Sequence, residues 1–168
     1  IDAPDVFVES RSKPLCDVPA MIYGAKPTDG GNLLLSAEEK DDLSKAEPQA
    51  APFIRRLIGS QEFINNKERY CLWLVGASPA LLRQCPRVMK RVEAVRDFRL
   101  ASSKAATRKK AEMPTLFDEP RCSDSDYIVV PEVSSERRKY IPMGFMSKDV
   151  ICSNLIKFIP SATLYHFG

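Results

Sequence analysis

The chain has 168 residues, 44% of them hydrophobic and 28% charged, with a formal net charge of +3. That is enough apolar material for a single core and too much for a disordered tail. The longest apolar runs, residues 33–35 and 71–75, fall far short of the ~20 residues a membrane-crossing helix needs, which excludes a membrane segment.

In chain order, Val6-Phe7-Val8 suits a short strand, and Pro14, which has no N–H to donate, should stop its pairing. Residues 24–32 are dense in turn formers and predict an exposed loop. Ser36-Ala-Glu-Glu39 is a capping box, opening a short acidic helix to about Lys45. Pro48 and Pro52 bracket the entrance to another short helix with Phe53, Ile54, Leu57 and Ile58 on one face, ending at Gly59. Arg55 and Arg56 would then point outward. Residues 69–75, Arg-Tyr-Cys-Leu-Trp-Leu-Val, read as a buried central strand.

Ser78-Pro79 and then Pro86 place prolines at first helical positions, so a short helix feeds a long one from about Arg87. In it Val88, Val92, Val95 and Phe98 or Arg99 recur at steps of three and four as one apolar stripe, and Pro114 must end it. From Asp126 the texture turns to short strands at 127–131, 139–145, 150–152, 157–160 and 163–167. Helices followed by hairpin-like strands predict an α+β fold, with a mixed or antiparallel sheet and a long basic helix. The chain starts at Ile1 rather than Met and stops on apolar Tyr165-His166-Phe167-Gly168. One domain spanning residues 1–168, excised from a longer protein, is therefore expected.

Catalytic signals are sparse. His166 is the one histidine, which leaves little for a Ser/His or Cys/His pair. Gly30-Gly31 belongs to no phosphate-cradling motif, and the carboxylates lack metal-site spacing. Five cysteines without a Cys-x-x-Cys pair fit reduced thiols in a cytoplasmic protein rather than a zinc site.

Charge is placed unevenly. Residues 83–110 hold ten Lys or Arg against Glu93 and Asp97, a surplus of eight; the total of +3 then leaves the other 140 residues at −5. Such a segment attracts a polyanion, and Lys and Arg on an exposed helix neutralise phosphates whatever the sequence. The second cluster is Ser134-Ser-Glu-Arg-Arg-Lys-Tyr140. Guanidinium groups there can read guanine and a carboxylate can accept from cytosine N4; alternation along a strand or hairpin would send Arg137 and Lys139 to one side. A solvated Glu136–Arg pair is the competing reading of that cluster, as silent surface charge is of the basic helix.

Several stretches, in order, carry a resemblance: Asp2-Ala-Pro4 with residues 8–15, Lys26-Pro-Thr-Asp-Gly-Gly-Asn-Leu33, Arg69-Tyr-Cys-Leu-Trp-Leu74, Arg96-Asp-Phe-Arg99 and Ser134 through Pro142. Together they resemble the target-recognition region of MmeI-like DNA methyltransferases, from Asp2 to Gly168. The resemblance implies a parent that joins an S-adenosylmethionine-dependent adenine methyltransferase domain, and in some members a nuclease, to this region. Neither an Asn/Asp-Pro-Pro-Tyr/Phe motif nor a methyl-donor glycine loop occurs here, so the chain alone is expected to need no cofactor or metal and to perform no chemistry. Its expected partners are double-stranded DNA and the neighbouring methyltransferase domain. The residues favoured for base edges are Arg11, Lys13, Asn32, Ser135, Glu136, Arg137 and Lys139. For phosphates they are Arg55, Arg56, Lys90, Arg91, Lys104, Arg108 and Lys109. The alternative is a non-catalytic docking domain whose basic helix binds an acidic protein surface.

Overall fold

Two four-stranded sheets organise the described part of the chain, which in the computed structural model is Ser10 and residues 17–167. The strand expected at residues 6–8 and the candidates Arg11 and Lys13 lie outside the described residues. One sheet runs β1 (Ile22–Tyr23), β8 (Ile156–Pro160), β5 (Tyr127–Pro131) and β6 (Gly144–Met146), antiparallel throughout. The other runs β2 (Leu34–Leu35), β4 (Tyr70–Leu72), β3 (Ile54–Ile58) and β7 (Ile151–Cys152), with β7 parallel to β3. With the helices below, this is the α+β architecture expected from the order of elements.

The acidic helix α1 (Ala37–Ala46) starts where expected. Ser36 Oγ accepts from the Glu39 N–H at 3.1 Å, and Glu39 Oε2 accepts from the Ser36 N–H at 2.9 Å. The buried strand also holds: β4 lies between β2 and β3, and Cys71 to Leu74 are all buried.

The helix expected after Pro48 is corrected. Pro48–Phe53 forms a short 3₁₀ segment, and the chain then extends as β3. Phe53, Ile54, Leu57 and Ile58 fit one helical face on paper, but β3 fills an interior slot. Arg55 pairs across from Cys71 and Arg56 from Tyr70, while Leu57 and Ile58 pair with Ile151 and Cys152. Ladder bonds on both sides outweigh local periodicity. Next come α2 (Ser60–Asn65), α3 (Pro79–Arg83) and α4 (Pro86–Leu100).

The long helix is interrupted. It ends at Leu100, α5 (Ala105–Lys109) restarts it, and a 3₁₀ turn follows at Lys110–Glu112. Ser102 Oγ takes the Lys104 N–H at 3.2 Å and Arg108 Nη1 donates to the Ser102 and Ser103 carbonyls at 2.8 Å each, so side chains satisfy the backbone where the helix would have continued. The strand expected at 139–145 shrinks to β6, since residues 132–143 loop out between β5 and β6. The terminal segment expected as a strand is the helix α6 (Leu164–Phe167). Pro160 ends β8, Ser161 turns the chain at φ 55°, and His166 Nδ1 accepts from the Thr163 N–H at 3.0 Å.

The main core lies between the mixed sheet and the helices, built from Leu35, Leu57, Cys71, Leu72, Val88, Val92 and Val95 among others. A smaller one, with Tyr127, Val129, Ile156 and Phe158, lies on the antiparallel sheet and is joined by Ile58 and Cys152. Each buried Val, Leu or Ile stabilises the fold by roughly 1.5–3 kcal/mol. The sheets meet at Gly24-Ala25, where the Gly24 N–H donates to the Ile156 carbonyl at 3.0 Å and the Ala25 N–H to the Cys152 carbonyl at 2.7 Å. A Cβ on Gly24 would fall 2.2 Å from the Ser153 carbonyl oxygen, so only glycine fits.

Candidate nucleic-acid interface

The inner stripe of α4 is Val88, Val92, Val95 and Arg99. Position 99 continues the valine spacing, whereas Phe98 is 46% exposed. The Arg99 side chain is buried and its five N–H groups meet five backbone carbonyls: Nε with Thr28, Nη1 with Lys110 and Met113, and Nη2 with Pro27 and Leu116, at 2.7–3.0 Å. Burial lowers its pKa, while the Asp118 and Asp29 carboxylates oppose that shift. The planar fork therefore ties the loop after β1 to the segment after α5, and this cation is withheld from solvent.

Three more cations of the basic segment have internal partners. Arg91 donates to the Asn32 and Leu34 carbonyls at 3.0 and 3.3 Å and to Glu39 Oε1 at 2.6 Å. Hydrogen bonds from the Ser36 backbone and then Arg91 hold the Glu39 carboxyl below its ordinary value. Arg108 donates to the Ser102 and Ser103 carbonyls in the break between α4 and α5, and Lys110 donates to the Asp118 carbonyl at 3.0 Å. Arg83, Arg87, Lys90, Arg96, Lys104 and Lys109 project outward with no ion-pair partner among the described residues. The raw surplus of eight thus overstates the charge available to a ligand.

The N-terminus of α4 is already neutralised. Glu47, 3% exposed and remote in sequence, accepts from the Arg87 N–H at 2.6 Å and the Val88 N–H at 3.4 Å.

Asn32, Lys90 and Arg91 come together, with Arg87 and Ala94, around a depression of about 410 Å³. Positions 87, 90, 91 and 94 share one helical face, a spacing that would have added Arg87 to the candidates. Arg96 and Arg108 line a second depression of about 480 Å³ with Leu100, Ala111, Glu112 and Pro114. Lys104 precedes α5 and Lys109 ends it, both exposed. Arg55 and Arg56 are half-buried on interior strand β3 instead of an exposed helix, and Arg56 Nη2 reaches Asn66 Oδ1 at 3.5 Å.

Ser135, Glu136, Arg137 and Lys139 all sit exposed on the β5–β6 loop. The Arg138 N–H donates to the Ser135 carbonyl at 3.0 Å and the Arg137 N–H to Ser135 Oγ at 3.2 Å. Glu136 and Arg137 thereby become the corner of a turn in the loop that closes the β5–β6 hairpin, so the alternation expected along a strand or hairpin does not run through them. Among the described residues, no cluster of three His, Cys, Asp or Glu side chains could hold a metal, and no helix is long and apolar enough to cross a membrane.

A family model, the MmeI target recognition domain, matches residues 2–168. The chain belongs to that family. DNA methyltransferase A of Bacillus subtilis (strain 168) is 40% identical over 167 residues, which cover 99% of this chain and 19% of that protein. A solved structure of the Type IIL restriction-modification enzyme MmeI in complex with DNA matches with a TM-score of 0.91 and 44% identity, over 99% of this chain and 22% of that one. This target recognition domain thus spans about a fifth of each relative. The resemblance read from the ordered motifs, Lys26 to Leu33 and Ser134 to Pro142 among them, is borne out at the level of family and fold.

Proposed function

We propose that this domain selects the DNA site at which a methyltransferase domain of the same polypeptide modifies an adenine, using S-adenosylmethionine held by that domain. The observation that carries the reading is membership of the target-recognition family, together with likeness to a relative solved with DNA. The protein would act in the cytoplasm as part of a restriction-modification system, in line with the bacterial methyltransferase relative.

In this reading the β5–β6 loop supplies Ser135, Glu136, Arg137 and Lys139 to base edges, with Asn32, Arg11 and Lys13 as further base contacts. Lys90, Lys104 and Lys109 take phosphates most readily, since none must give up a partner among the described residues. Arg55, Arg56, Arg91 and Arg108 belong to the same set; for Arg91 and Arg108 a phosphate has to compete with backbone carbonyls.

Binding of the full-length protein to duplex DNA should weaken steeply with salt, the logarithm of affinity falling by about 0.9 per phosphate neutralised for each decade of salt. Absence of salt-sensitive binding refutes the reading. If reversing Lys90, Lys104 and Lys109 to Glu leaves DNA binding intact but breaks assembly with another protein or domain, the docking alternative takes its place.

A further inference from the structure

The β5–β6 loop carries four exposed large apolar side chains outside both cores, of which Met143 is the least exposed at 37%. Val133 is 71%, Tyr140 76% and Ile141 66% exposed, and none belongs to either core cluster. Single exposed apolar residues are ordinary, but three that are more than half exposed on one 12-residue loop leave apolar area that water solvates poorly. Arg137, Arg138 and Lys139 stand immediately before Tyr140, and Lys139 Nζ lies 5.5 Å from the centre of its ring. Whatever covers the apolar side chains must therefore accept positive charge beside them. A duplex groove has that combination: anionic rims of phosphate around a dehydratable floor of sugars and base edges.

We propose that Tyr140 and Ile141, with Val133 on the same loop, are apolar contacts to DNA that become buried inside a groove when the domain binds. The inference rests on the DNA-recognition reading and adds residues that no charge-based argument selects. Apolar contacts release water rather than counterions, so their removal should change affinity without changing its salt dependence.

The test uses the full-length protein and duplexes that it selects from a randomised pool. Tyr140→Ala and Ile141→Ala should each weaken binding about tenfold, as buried aromatic and aliphatic anchors do. The salt slope should stay at its wild-type value, in contrast to Lys90→Gln, which should lower it by about one. Tyr140→Phe should bind like the wild type, and melting without DNA should be unchanged in all of them. Wild-type affinity in a Tyr140→Ala/Ile141→Ala double variant overturns the inference while leaving DNA recognition standing. A lowered melting temperature without DNA, at unchanged affinity, also overturns it, because the loop would then be covered by protein. Lack of salt-sensitive binding by the wild type removes the underlying reading and the inference with it.

Discussion

Replacing Arg99 by lysine keeps the charge and removes the fork. The guanidinium serves the carbonyls of Pro27, Thr28, Lys110, Met113 and Leu116. An ammonium group has three donors, so at least two of these five carbonyls lose their partner. A buried polar group left unsatisfied costs about 1–3 kcal/mol, which places Arg99→Lys at about 2–6 kcal/mol and, if water enters from the rim, near 3. For a domain of this size each kcal/mol lowers the melting temperature by about 2–4 °C, so a drop of about 6–12 °C is expected in thermal unfolding followed by circular dichroism. Arg99→Met, which abandons all five carbonyls, should fall further. A lysine variant melting within about 2 °C of the wild type would refute the argument that the fork fastens these segments together.

Glu47→Ala should cost about 1–2 kcal/mol by leaving the first N–H groups of α4 without their acceptor, seen as a lower urea midpoint with an unchanged slope. In a Cys16→Ser background a thiol reagent at neutral pH should label exposed Cys122 in the folded protein. Cys71 and Cys152, whose pKa burial pushes up to about 12, and Cys85, also raised by burial, should react only after denaturation. Fast labelling of any of these three would contradict the core packing. The Glu39 carboxyl lies below its ordinary 4.5 when folded, so its contribution is complete above that pH and fades as pH falls through the folded value. Melting temperature should decline over that acid range, and Glu39→Gln should show a smaller decline.

What was legible in the sequence was mostly local. Ser36 and Glu39 meet within one turn, and residues 69–75 have a composition few other environments accommodate, so both could be read without the rest of the chain. Residues 53–58 were misread because their apolar spacing suits a short helix as well as a strand, and the deciding partners, Tyr70 to Leu72 and Ile151-Cys152, come from distant segments. The break after Leu100 falls at Ser102-Ser103, whose carbonyls Arg108 reaches from five and six residues further on; that the serines stop the helix instead of facing solvent within it was not legible among the helix formers around them. Arg99 counts in the basic surplus and is also offered, beside Phe98, as the last member of the apolar stripe; its position four residues after Val95 is the signal that decides for it. Of the interface, the types of residue were readable. Which cations are already engaged was not, because carbonyl acceptors carry no side-chain signature.

The order in which strands pair bears on how the domain is made. β1 finds its partner in β8, with Ile22 opposite Phe158 and Tyr23 opposite Lys157, and β5 needs the same β8 for its other edge. A ribosome delivers β8 after the other described strands, so until then the antiparallel sheet lacks one of its two interior strands. The Gly24-Ala25 seam, which closes on Cys152 and Ile156, has to wait as well. During synthesis the mixed sheet and its helices can begin to gather, but the hairpin bearing the exposed loop is mounted on a finished support only once β8 has joined it.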